Sequence, residues 1–239
     1  MLKQVLKNHL TAGQLSALRT VLAELRIGRI HSKGVRQAKV LRNRDDLKLN
    51  FGCGPDIKPG YINVDLCEGA DLRLDLREPM PFQANACAIV HSEHFLEHLA
   101  YPHQAMHFLA ECFRVLRPGG ILRVGVPDSE WPIRAYARDP YFVAWFDYVR
   151  RAWPRSDSVN TDMECVNYSF RQDGEHKFGY DYETLKRNLA MVGFEDIKRV
   201  EFDPALDNEK SRYSLDSDPS KCTTLYVVAV KPTDTDVHD

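Results

Sequence analysis

From residue 47 onward the chain alternates short apolar runs with longer segments of helical period. The runs over 47–51, 61–65, 70–73, 86–92 and 120–126 have strand length. Between the last two, Ala105, Phe108, Leu109, Cys112 and Leu116 fall on one helical face. Pro102 suits the first turn of that helix, and Arg117-Pro118-Gly119-Gly120 stops it. A second helix is predicted from an N-cap at Asp181; it buries Tyr182, Leu185, Leu189 and Val192 and stops at Gly193. Strands over 195–202 and 224–231 follow. Strands alternating with helices predict an α/β domain over residues 47–231 built on a mostly parallel sheet.

Residues 1–46 read as a helical extension. Thr11-Ala-Gly-Gln14 is a capping box, Leu15, Leu18, Leu22 and Leu25 form one stripe, and Gly28 is the expected end of the helix. The stretch that follows, to Arg44, reads as a basic, solvated linker. The acidic tail, 232–239, is expected to be disordered.

Ligands of such sheets bind outside the carboxyl ends of the strands. The residues just after each run are therefore the candidates: Gly52–Gly54, Asp65, Asp75, 91–94 and Asp128. Glycines at a strand tip let the backbone approach a ligand closely, and an acid at the next tip can accept hydrogen bonds from a ribose diol. A dinucleotide fingerprint would need a third glycine where Ile57 stands and an acid about 20 residues on, whereas Asp65 follows Gly52 by 13. Pro55 and Pro59 also leave little room for a phosphate-binding helix. A phosphate-free adenosine cofactor, S-adenosylmethionine, fits better.

The ordered motifs LNFGCGPDIKPGYINVDL (49–66), DLRLDLREPMPF (71–82), HSEHFLEH (91–98) and ECFRVLRPGGILRVGVPD (111–128) resemble the class I S-adenosylmethionine-dependent methyltransferases. The branch they look most like is a bacterial one associated with cell-surface polysaccharide synthesis. The resemblance implies a Rossmann-like fold whose seven-stranded, mostly parallel sheet has helices on both faces and an antiparallel last strand, and it implies that Gly52, Cys53 and Gly54 pass beside the methionine part of the cofactor. It implies that Asp65, with Leu66, holds the ribose, that Asp75 and Leu76 meet the adenine edge, and that Ser92 and Glu93 line the pocket. Many members of the class carry an acid just before the first glycine; here Asn50 and Phe51 stand there, so the partner of the cofactor's amino group is unassigned.

Five of the nine histidines lie between 91 and 107, and His94-Phe-Leu-Glu97-His98 matches H-x-x-E-H. A zinc hydrolase would use His94 and His98 as ligands and Glu97 as base. No third ligand is evident from sequence and the segment starts at a strand end, so no metal is expected. His98 reads as a helix-terminus or interface histidine. His94, at the pocket rim, and His176 are the candidate general bases.

Between Asp128 and Asp181 lies an insertion, about 129–180, that reads as a lid. The stretch 131–182 holds 13 of the 24 aromatic residues. Trp131, Tyr136, Tyr141, Trp145, Tyr148 and Trp153 are interleaved with Arg134, Arg138, Arg150, Arg151 and Arg155. Such a surface suits a sugar ring and its acidic groups; Asp128, Trp131 and Arg134 are the candidate acceptor contacts.

Composition sets the outer bounds. With 44% apolar and 28% charged residues the chain can fill a globular core, and its net charge of −2 speaks against nucleic acid as the main partner. The charge is uneven, however: residues 1–44 hold ten Lys/Arg and one acid, Glu24. That bias admits a peripheral contact with the inner face of a membrane, or with a partner enzyme. Six scattered cysteines without a CxxC suggest a reducing, cytoplasmic setting. The expected activity is methyl transfer to a sugar hydroxyl of a glycan or its precursor. A non-catalytic S-adenosylmethionine-binding partner, the zinc hydrolase and an NAD-dependent oxidoreductase are the alternatives.

Overall fold

The computed structural model describes residues 10–42, 44–152, 159–203, 205–206 and 223–233. Trp153, Arg155 and most of the acidic tail lie outside the described residues. Seven strands form one sheet: β1 (Leu47–Phe51), β2 (Ile62–Asp65), β3 (Leu72–Arg73), β4 (Cys87–Glu93), β5 (Leu116–Pro127), β6 (Glu195–Val200) and β7 (Thr224–Val230), in the order β3-β2-β1-β4-β5-β7-β6. Pairing is parallel from β3 through β5; β7 runs antiparallel to both β5 and β6. This is the Rossmann-like class I methyltransferase fold, with its expected reversed last strand.

The central strands read as apolar runs because both of their faces are covered. Leu49, Phe51, Val64, Val90, Leu122, Val124 and Val227 are fully buried in one core. The helix after β4, α2 (His103–Val115), adds Ala105, Phe108, Leu109, Cys112 and Val115 to it. It ends where predicted, but β5 starts at once at Leu116. Its pairing with β4 shifts register between the Leu116 and Ile121 positions, which takes in the Pro-Gly-Gly turn. The second predicted helix, α6 (Tyr182–Val192), has its N-cap at Asp181, whose carboxylate accepts from the Thr184 N–H, and stops at Gly193 in the left-handed region.

The N-terminal helix is longer than its sequence suggests. The capping box at Thr11 and Gln14 is formed, but α1 (Ala12–Gln37) runs through Gly28 and consumes most of the supposed linker. Propensity alone would let a lone glycine end it. What extends it is docking: Gly34 sits so close to β3 that a Cβ there would lie 2.2 Å from the Arg73 carbonyl oxygen. One turn earlier, His31 Nδ1 accepts the Asp75 N–H at 3.2 Å.

Among the described residues, the insertion after β5 carries three α-helices, α3 (Glu130–Tyr136), α4 (Trp145–Ala152) and α5 (Asp162–Arg171). They close on a second core of Trp131, Phe142, Trp145, Phe146, Val149 and Cys165. Its two ends are clasped together: Asp128 bridges Tyr180, and the Ser129 N–H donates to the Tyr180 carbonyl at 2.9 Å.

Candidate functional site

Two clefts open at the carboxyl ends of β1, β2, β4 and β5, and the segment leaving β4 stands between them. The first is lined by Asp65, Leu66, Leu74, Asp75, Leu76, Arg77, Phe95, His98 and Leu99. The sequence-predicted ribose and adenine residues thus face one space. Asp65 is aimed by its own backbone surroundings: Oδ2 accepts from the Gly54 N–H and Oδ1 from the Cys67 N–H, both at 3.0 Å. Gly52 has φ +67, and a Cβ there would meet the Phe95 ring at 2.4 Å, so this close approach tolerates only glycine.

Asp75 is more heavily engaged than the sequence suggested. Arg77 grips its carboxylate through Nε and Nη2, at 2.9 and 2.8 Å, and extends the same guanidinium to Glu24 of α1 at 2.7 Å. Burial would raise the Asp75 pKa, but the hydrogen bonds from Arg77 outweigh it and hold the carboxyl below its ordinary value.

A smaller pocket adjoins, lined by Asn50, Gly52, Cys53, Asp56, Lys58, His91 and Glu93. Here the missing acid before Gly52 finds its explanation. Asn50 is a buried scaffold residue: its Nδ2 donates to Asn63 Oδ1 at 2.9 Å and to the Asp56 carbonyl at 3.1 Å, tying the glycine loop to β2. Asn63 in turn donates to Asp71 at 2.9 Å. The pocket's acids are Asp56 and Glu93, and Glu93 Oε1 accepts from the Tyr226 hydroxyl at 2.6 Å. Burial pushes the Cys53 thiol up to about 12, so it is an apolar lining group and no nucleophile. Ser92 is buried within the sheet, beside Phe51 and Val124, and lines neither space.

The second cleft lies under the insertion. His94, Asp128, Trp145, Tyr148, Tyr168, His176 and Thr223 line it. Both candidate bases therefore face it. His94 sits at the strand tip with φ +50, a left-handed conformation that a non-glycine side chain adopts at a cost. Its ring is held at both nitrogens: Nδ1 lies 3.3 Å from Glu97 Oε1 and Nε2 3.1 Å from the Thr224 hydroxyl. His176 arrives from the far end of the insertion. The Lys177 and Phe178 N–H groups donate to the Glu97 carbonyl, at 2.8 and 3.3 Å, and Phe178 stacks on Tyr101. Burial lowers the His176 pKa, which favours its neutral form.

Glu97 is the residue whose role the sequence left open. It is 1% exposed. Burial would raise its pKa, but the imidazoles of His94 and His98 more than offset that and hold it below the ordinary carboxylate value. His98 belongs to the cofactor side of the partition, with its Nε2 3.9 Å from Glu97 Oε1.

Two of the predicted acceptor contacts are placed elsewhere. Trp131 is buried in the core of the insertion, its ring centroid 4.6 Å from that of Phe142, because burying a large apolar indole there removes its surface from water. Arg134 is on the outer surface, paired with Glu130 and Asp139 and lying over Phe142. Asp128 does line the lid cleft, and it also holds Arg199 at 2.7 Å. Burial raises its pKa despite that pairing.

Residues 49–124 match a family model described as a methyltransferase domain. Among solved structures, the chain is similar to an S-adenosylmethionine-dependent methyltransferase from Archaeoglobus fulgidus, at 18% identity over 87% of this chain and 94% of that one, with a TM-score of 0.46. It is also similar to a possible histamine N-methyltransferase from Thermotoga maritima, at 15% identity over 90% and 96%, TM-score 0.45. A third is phosphoethanolamine N-methyltransferase 2 of Haemonchus contortus in complex with S-adenosyl-L-methionine, at 12% identity over 84% and 53%, TM-score 0.44. No curated protein matches the chain. The matched stretch takes in Gly52, Cys53, Asp65 and Asp75, the strand-tip residues that line the first cleft and the smaller pocket.

Proposed function

We propose that this chain transfers the methyl group of S-adenosylmethionine to a hydroxyl of a sugar, free or within a glycan precursor, held under the aromatic insertion. One observation carries the reading. The cofactor cleft and the lid cleft share a single wall, residues 94–98, with His98 on one side and His94 on the other. A methyl donor and an acceptor seated in the two clefts would meet at that wall.

When bound, the cofactor supplies an activated methyl group; the protein's part is orientation and exclusion of water. Asp65 and Leu66 would hold the ribose, Asp75 and Leu76 the adenine edge, and the Gly52–Gly54 turn the methionine end. Glu93 or Asp56 would take its amino group. Tyr148, Trp145 and Tyr168 offer ring faces to a sugar. His94 would accept the hydroxyl proton, with the acceptor oxygen taking the place of the Thr224 hydroxyl at Nε2 and Glu97 orienting the ring.

The basic N-terminal helix fits a surface contact outside the site. Val21, Leu22 and Leu25 are exposed on it, beside Arg19 and Arg26. Among the described residues no helix is long and apolar enough to cross a membrane. Sedimentation with anionic vesicles tests that contact.

Calorimetric titration with S-adenosylmethionine, with NADH as the control, is the deciding measurement, followed by labelled-methyl transfer to a panel of sugars. Micromolar binding of the first and none of the second is expected. No binding of S-adenosylmethionine would sink the reading; binding with transfer only to amines would sink the sugar hydroxyl.

A further inference from the structure

We infer that Glu97, His98 and His176 form a site for a divalent first-row transition ion in the wall between the two clefts. One donor atom from each lies within 4.8 Å of the others. Donors around one such ion stand about 3–4 Å apart, so small rotamer changes close the set. A carboxylate with two imidazoles is a donor set that selects a transition ion over magnesium or calcium.

A second observation points the same way. Both oxygens of the Glu97 carboxylate are buried without a hydrogen-bond partner. What surrounds them is imidazole: His94 Nδ1 at 3.3 Å and His98 Nε2 at 3.9 Å from Oε1. The His94 and His98 imidazoles offset part of that buried charge; Oε2, which keeps no hydrogen-bond partner, is where a cation would complete it.

The His176 ring is also prepared for a ligand's task. Its Nδ1 lies 2.8 Å from the Ser169 carbonyl oxygen, which can only accept. Nδ1 therefore carries the proton, and Nε2 presents its lone pair. A carbonyl holding the far nitrogen is how metal-bound histidines are oriented. The His98 and His176 rings stand edge to face with centroids 5.0 Å apart. The two backbone bonds from Lys177 and Phe178 to the Glu97 carbonyl fix the third donor, distant in sequence, beside the first two.

An ion here would face the lid cleft beside His94 and could hold an acceptor oxygen while lowering its pKa. That role rests on the methyltransferase reading; the binding of the ion does not.

The test uses the full chain, stripped with a chelator and titrated with Co²⁺, whose visible absorption reports nitrogen and carboxylate ligation without any assay of activity. Expected is one Co²⁺ per chain, displaced by Zn²⁺, with affinity at least about tenfold weaker in Glu97→Gln, His98→Asn and His176→Asn. His98 is half-buried, so His98→Asn serves even if Glu97→Gln does not fold. Saturation absent up to millimolar Co²⁺, or unchanged affinity in His98→Asn, overturns the site. S-adenosylmethionine binding to the stripped protein is measured in parallel. Cofactor binding without metal binding removes the site and leaves the methyltransferase; metal binding without cofactor binding does the reverse.

Discussion

His94 Nδ1 lies 3.3 Å from Oε1 of Glu97, a carboxylate buried in the wall between two clefts. This pairing fixes the imidazole of a residue whose backbone is already held in the left-handed region. Replacing His94 by Ala should lower kcat for methyl transfer by about 10²–10⁴, the range for loss of a general base. S-adenosylmethionine affinity should stay within about twofold, because His94 lines the other cleft. Steady-state transfer and calorimetry on the same preparation separate the two. Equal losses in both would mean that His94 only supports the cofactor.

Asp65 accepts two backbone N–H bonds, from Gly54 and Cys67, so it both shapes and lines the cleft proposed for the cofactor. Asp65→Ala should weaken S-adenosylmethionine binding by about 10–100-fold, the loss of one or two charge-assisted hydrogen bonds. Titration calorimetry reads it directly. Unchanged affinity would remove the ribose assignment.

Two glycines of α1 should respond in opposite directions to alanine. Gly28 has no heavy atom within 4 Å of where a Cβ would sit, so Gly28→Ala should stabilise by about 0.5–1 kcal/mol. Gly34→Ala would drive a methyl into the Arg73 carbonyl and should cost at least about 2 kcal/mol or lift the helix from β3. Urea midpoints and limited proteolysis of α1 distinguish the outcomes. Equal effects at both sites would contradict the docking.

Glu111 on α2 accepts the Met80 N–H at 2.7 Å and pairs with Arg114 at 2.6 Å. Burial would raise its pKa, but Arg114 and the Met80 amide outweigh it and leave the folded value below the ordinary 4.5. The unfolded chain therefore binds the proton more readily than the folded one. The stabilisation is present above about pH 4.5 and is lost as pH falls through the lower folded pKa. Melting temperature should drop below about pH 4.5, and less steeply in Glu111→Gln. An identical slope in that variant would assign the acid sensitivity elsewhere.

Much of the sheet could be read along the chain because strands covered on both faces leave an apolar signature that local composition preserves. Helix ends with a chemical stop were legible too: Asp181 and Gly193 bound α6 as expected. Gly28 misled because the force that carries α1 past it comes from β3, more than thirty residues away. The same limit explains His176. Its place beside Glu97 depends on amides at 177 and 178 meeting the Glu97 carbonyl, and no spacing rule links those positions. Trp131 looked like a binding residue because an aromatic on a lid and an aromatic in a lid's core have the same letter. Asn50 departs from the familiar acid for a reason only the fold displays: it anchors the glycine loop to Asn63.

The chain of contacts Glu24–Arg77–Asp75 joins the outer half of α1 to a residue that lines the cofactor cleft, and His31 holds the Asp75 amide from the same helix. The extension is therefore a thermodynamic neighbour of the cofactor. If a surface or partner that favours one position of α1 changes cofactor affinity by some factor, the bound cofactor must change that partner's affinity by the same factor. A chain trimmed to begin at β1 would lose Ala38 from the main core and the packing of α1 on β3. It would lose this reciprocity too, along with the contacts from Glu24 to Arg77 and from His31 to the Asp75 amide.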